Sequence, residues 1–186
     1  MSTRAGYIVL FTGGARSGKS RRAEQYAARL GLPVTYIATA EAGDDEMRQR
    51  IAAHQAQRPA TWATIEAPLA VASALRTLAP GSVALLDCVA LLTTNLLLAH
   101  ETDPEPVVLA EVTAFLAVAR ERTLSLIIVS NEVGLGLVPP YPLGRVYRDL
   151  LGRVNQQLAA AADAVYLVVA GIPVELKALE ASWANG

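Results

Sequence analysis

The chain has 186 residues, 53% of them apolar, and a formal net charge of −1. That length suits a single domain, residues 1–186, with a full core, and the near-neutral balance gives no reason to expect a nucleic acid partner. No apolar run is long enough to span a bilayer, and the lone Cys88 excludes an internal disulfide and a cysteine-based zinc site.

Taken in order, residues 1–6 lead straight into the first strand with no separate signal segment. A cytosolic enzyme, cytoplasmic in setting, is the expectation. Residues 7–12 read as a short buried strand and residues 21–30 as a helix rich in Ala, Glu, Gln and Arg. Residues 33–38 form a second strand and 39–43 a loop. Asp44 or Asp45 can cap a helix running to about Gln57, because Pro59 disfavours a helical residue before it. Residues 62–66 are a weak strand, and Pro68 opens a short helix over 69–78. Residues 83–87 are a strongly apolar strand ending in Asp87. A helix over 91–99, a polar linker over 100–106 and an amphipathic helix over 107–122 follow. Residues 124–130 read as the most buried strand, and 131–142 as a loop of glycines and prolines. The longest helix spans 143–162, with Val146, Leu150, Val154 and Leu158 on one stripe. Residues 164–169 are a last core strand, and the tail from Gly171 can add an edge strand.

Six apolar strands separated by helices predict a mostly parallel sheet covered on both faces. Ligands of such sheets sit at the carboxyl ends of the strands. That rule brings the turn after the first strand, Glu66, Asp87 and Asn131-Glu132 to one edge.

That turn, Gly13-Gly14-Ala15-Arg16-Ser17-Gly18-Lys19-Ser20, fits the phosphate-loop pattern G-x-x-x-x-G-K-[ST]. Glycines let the backbone wrap round a phosphate, and the amides and dipole at the helix start favour the anion. Lys19 would reach the outer phosphates and Ser20 would ligate Mg2+. The strand before and the helix after argue against a chance glycine-rich turn. Asp87 reads either as the acid that holds the metal or as an ordinary acid at a strand end. The phosphate loop in the same chain favours the first.

His54 shares a helical face with Met47 and Ile51. Alone it reads as a packing or capping residue. Arg50 and Arg58 beside it would attract phosphate and favour the neutral imidazole, whose nitrogen can take a nucleotidyl group. His100, in a polar linker, reads as solvated. The loop 131–139 is open between a substrate loop and a surface crossover.

These residues together carry a family resemblance. It spans residues 12–20 and 36–40, Asp45-Glu46-Met47, Arg50-Ile51, His54, Arg58-Pro59 and Trp62. It continues through 93–97, 131–134, 152–156, 159–163 and 167–169. The chain resembles the bifunctional adenosylcobinamide kinase/adenosylcobinamide-phosphate guanylyltransferases of cobalamin biosynthesis. The resemblance implies a three-layer P-loop α/β fold with a RecA-like, mostly parallel sheet, and a homotrimer. It implies phosphorylation of adenosylcobinamide by ATP or GTP, then transfer of GMP from GTP to adenosylcobinamide phosphate. His54 stands where the family carries GMP covalently. The resemblance also implies that Ala38, Thr39, Ala40, Gln55, Ala56, Gln57, Arg58, Glu66 and Asp87 help hold the nucleotide. The chain departs from the family at Ala53 and Gln55, where a second histidine or other basic residue is often found. It also has Asp87 where some relatives have Glu. Two other readings compete: a single-activity kinase of a small alcohol with His54 structural, and a nucleotide-dependent RecA-like binding module.

Overall fold

The structure is a computed structural model that describes residues 6–40 and 59–181. The helix expected over 44–57, with His54, lies outside the described residues. The strands are β1 (Ile8–Thr12), β2 (Val34–Ala38), β3 (Ala63–Glu66), β4 (Val83–Asp87), β5 (Ser125–Val129), β6 (Ala164–Val169) and β7 (Ile172–Glu175). The described helices are α1 (Lys19–Arg29), α2 (Val71–Arg76), α3 (Val89–Ala99), α4 (Pro104–Glu121) and α5 (Pro142–Ala161), followed by a 3-10 turn at Lys177–Leu179.

One sheet runs in the order β3-β2-β4-β5-β1-β6-β7. Every pairing is parallel except that of β6 with β7. The central strands β1 and β5 are buried at every position, as a strand sandwiched between two helical layers must be. Each buried Leu, Ile or Val there removes enough apolar surface from water to stabilise the fold by about 1.5–3 kcal/mol.

The chain leaves β1 toward β2, but it leaves β5 in the opposite direction, past β1 to β6. Right-handed crossovers therefore place α1 on one face and α2 to α5 on the other. The packing agrees: α1 lies against β1, β4 and β5, while α4 packs on α2, α3 and α5. The crevice between β1 and β5, where the direction reverses, is where such sheets bind ligands. This is the RecA-like P-loop α/β arrangement.

Several boundaries differ from expectation for local reasons. Helix α1 begins at Lys19, because Gly18 in the left-handed region (φ 90°) supplies the turn into it. The linker expected to reach Pro106 is shorter, with α4 starting at Pro104. Proline costs little in a first helical turn, whose N–H groups have no helical partner. Helix α3 begins directly after Cys88, and α2 shrinks to six residues. The apolar stripe of α5 holds at Leu150, Val154 and Leu158, but Val146, in the first turns of the helix, is 47% exposed.

Candidate active site at the phosphate loop

The loop after β1 is shaped by its own backbone. Gly13 has φ 155°, and a Cβ there would sit within 3.0 Å of both the Val168 carbonyl oxygen and Ser17 Oγ. Arg16 takes φ 56°, and the Ser17 N–H closes a turn on the Gly14 carbonyl at 3.3 Å. The first bond within α1 runs from the Arg22 N–H to the Gly18 carbonyl at 3.0 Å. The amides ahead of it are aimed out of the helix, which suits an anion. Gly14, Ala15 and Arg16 form the exposed lip, Ser17 and Ser20 are half-buried, and Lys19 is buried. Lys19 Nζ donates to the Gly14 carbonyl at 3.2 Å, so its ammonium lies along the loop.

The β6–β7 turn braces this loop from the side. The Gly171 N–H donates to the Ser17 carbonyl at 2.8 Å, and Arg22 Nε donates to the Gly171 carbonyl at 2.7 Å. Gly18 and Gly171 approach so closely that a Cβ on Gly18 would lie 3.4 Å from Gly171 Cα.

Register aligns the acids. Ala38 pairs with Glu66 on one side and with Asp87 on the other, and Asp87 pairs with Val129. Val129 pairs in turn with Phe11, just before the loop. Glu66 is exposed at the edge, whereas Asp87 is half-buried. The Tyr36 hydroxyl donates to Asp87 Oδ2 at 2.9 Å and fixes the carboxylate's orientation. The Asp87–Cys88 peptide is cis. Thr39, fully buried, accepts from the Cys88 N–H at 2.9 Å and donates to the Cys88 carbonyl at 2.7 Å. Asn95 Nδ2 holds the Thr39 carbonyl at 2.9 Å, and Ala40 follows, half-buried. Burial, with the Asp87 charge adding to it, pushes the Cys88 thiol up to about 12. The Lys19 charge acts in the opposite direction on that thiol, so the loop lysine lies within electrostatic reach of the end of β4.

The end of β5 completes the edge. The Glu132 N–H donates to the Gly13 carbonyl at 3.0 Å, joining the 131–141 loop to the phosphate loop. Asn155 on α5 accepts from Ser130 Oγ at 2.6 Å and donates to the Asn131 carbonyl at 3.0 Å.

The donors fit a small hard cation. Ser20 and Asp87 offer oxygen only, as Mg2+ prefers. Among the described residues, no three His, Cys, Asp or Glu side chains cluster to hold a metal. Thr12 Oγ1 and Ser17 Oγ are buried beside the loop with no hydrogen-bond partner.

The structure thus places residues 13–20, Ala38 to Ala40, Glu66 and Asp87 along one edge of the sheet, with Glu66 on the outer strand β3 and β2, β4 and β5 between it and β1. His54, Gln55, Ala56, Gln57 and Arg58 lie outside the described residues. Sequence reasoning assigned no role to Tyr36, Asn155, Arg22 or Gly171. Asn155 did carry a signal: an Asn between buried Leu151 and Leu158, inside a helix it does not favour.

Residues 9–176 match the family described as cobinamide kinase / cobinamide phosphate guanyltransferase. The bifunctional adenosylcobalamin biosynthesis protein CobP of Pseudomonas aeruginosa is 50% identical over 169 residues, covering 90% of this chain and 96% of that protein. CobU of Escherichia coli, named in the same terms, is 43% identical over 183 residues, covering 91% and 99%. A solved KaiC-like protein from Pyrococcus horikoshii is 17% identical, covering 88% of this chain and 71% of its own, with a TM-score of 0.48. The chain belongs to the cobinamide kinase / cobinamide phosphate guanyltransferase family.

Proposed function

We propose that this chain phosphorylates the aminopropanol hydroxyl of adenosylcobinamide with ATP or GTP, and then joins GMP from GTP to the new phosphate. The observation that carries the reading is a phosphate loop and a tyrosine-held Asp87 at the same edge of the sheet, in a chain of this family. In the kinase step the substrate oxygen attacks the γ-phosphorus, the bond to the β-phosphate oxygen breaks, and the hydroxyl proton is lost. Lys19 and the loop amides offset the charge on the outer phosphates. Ser20 and Asp87 would hold Mg2+, which neutralises phosphate charge when bound. Ala38 to Ala40, Gln55 to Arg58 and Glu66 would contact the nucleotide.

In the second step a nitrogen of neutral His54 attacks the α-phosphorus of GTP and pyrophosphate leaves. An oxygen of adenosylcobinamide phosphate then displaces the histidine, giving adenosylcobinamide-GDP. Splitting the displacement in two is the advantage of a covalent carrier. We further propose a cytoplasmic homotrimer with no nucleic acid partner; among the described residues no helix is long and apolar enough to cross a membrane.

The test is incubation with α-labelled GTP and Mg2+, followed by mass mapping of the labelled residue. Wild type should carry acid-labile GMP on His54. His54→Ala should lose the label and the guanylyl step, yet keep at least part of the kinase step. Labelling should also fall as pH drops, at a pH below the value of about 6.5 for an ordinary imidazole, because Arg50 and Arg58 favour the neutral form. GMP acquired by His54→Ala at the wild-type rate would make His54 structural and favour the single-activity kinase.

A further inference from the structure

The loop that leaves β5 at the switch point carries an exposed apolar surface that phosphate chemistry does not use. Leu135 is 88% and Leu137 97% exposed, and Val138, Tyr141, Leu143 and Val146 are exposed beside them. Residues 133–144 carry no charged side chain. A contiguous apolar surface open to water marks a place where something docks.

This surface is built rather than frayed. At its start Asn155 ties down Ser130 and the Asn131 carbonyl. The Glu132 carboxylate accepts the Gly134 N–H at 2.6 Å. At its end Arg145 donates to the carbonyls of Pro139 and Pro140, at 3.2 and 2.9 Å. Tyr141 and Pro139 pack so tightly on Gly144 that a Cβ there would lie 2.5 Å from the tyrosine ring and 2.8 Å from the proline. Pro139, Pro140 and Pro142 stiffen the backbone further. The leucines are thus held outward by a pre-ordered frame, which lowers the ordering cost of binding.

Position selects the occupant. The loop begins at the Gly13 carbonyl, on the strand between Asp87 and the phosphate loop. A substrate gripped there can extend its reactive hydroxyl to the γ-phosphate. Resting on the proposed corrinoid substrate, we infer that residues 135–146 dock the corrin ring. The ring is a broad macrocycle with a methyl-rich face and neutral carboxamide arms. Its chemistry matches the exposed apolar side chains of residues 135–144, which carry no charge. The loop would thereby set the substrate's position while the nucleotide site is left to the phosphate loop.

The double variant Leu135→Ser/Leu137→Ser tests this, since both side chains stand in solvent and the fold does not depend on them. Equilibrium dialysis of coloured adenosylcobinamide against wild type and variant gives the affinity directly, and nucleotide titration and sedimentation run alongside. Losing two docked leucines should weaken corrinoid binding about tenfold or more, with triphosphate affinity and oligomeric mass unchanged. Leu137→Met should retain most of the affinity. Equal corrinoid binding by wild type and variant overturns the docking assignment and leaves the proposed function standing. A lower mass in the variant assigns the surface to a second copy of the chain and overturns it too. Wild type that neither binds nor phosphorylates adenosylcobinamide removes the proposed function itself, and the docking with it.

Discussion

Replacing Gly13 by alanine puts a methyl group where backbone already stands. The new Cβ would lie within 3.0 Å of the Val168 carbonyl oxygen and 2.9 Å from Ser17 Oγ. Ser17 can turn away, but Val168 belongs to β6, held between β1, which pairs with Ala164 to Leu167, and β7, which pairs with Val168 itself. Relief therefore requires the phosphate loop to move off the sheet edge. Overpacking of this kind costs about 1–3 kcal/mol. For a domain of this size that lowers Tm by about 2–4 °C per kcal/mol. Gly14 supplies the control: it is exposed, and a Cβ there meets nothing within 4 Å. Gly14→Ala should melt within about 1 °C of wild type. Thermal unfolding of both variants, paired with triphosphate titration, reads the effect on fold and on loop separately. Gly13→Ala should lose stability and about tenfold or more in triphosphate affinity. Equal melting temperatures for the two variants would refute the close approach of the loop to β6.

Asp87→Asn keeps the size but removes the charge, so it should raise the Mg2+ concentration needed for half-maximal turnover about tenfold or more. Tyr36→Phe, which unties Oδ2, should raise it less, and an unchanged metal requirement in Asp87→Asn would remove that residue from the site. Asn155→Ala strands the fully buried Ser130 hydroxyl and the Asn131 carbonyl, at a cost of about 1–3 kcal/mol. Denaturant titration should show that loss, while Asn155→Asp, which keeps the acceptor, should lose less. Cys88 gives a pH signature. Burial raises its thiol from 9.0 to about 12, so native protein keeps the proton after the unfolded chain has lost it. Its contribution to stability is intact below pH 9.0 and shrinks as pH rises toward about 12. Unfolding free energies from about pH 8 to about pH 11 should decline less steeply in Cys88→Ala; parallel slopes would refute the assignment.

The phosphate loop was legible in the sequence because its chemistry is local: a left-handed Gly18, a lysine and a serine follow one another along the backbone. So were β4 and β6, whose bounds match expectation residue for residue, because an apolar run bounded by turn residues reports its own burial. The convergence of Glu66, Asp87 and Asn131-Glu132 on one edge also followed from sequence, since a parallel sheet sends every strand's carboxyl end the same way. Tertiary structure decided the rest. Tyr36 meets Asp87 only because β2 and β4 pair in the register Ala38–Asp87. Gly171 braces Ser17 and Arg22 only because β6 lies beside β1. Val146 and Leu150 look alike in the apolar stripe of α5, yet one is open to water and the other packs on the core. Periodicity records which residues share a face of a helix, and only the strand order determines how far along that helix the sheet reaches.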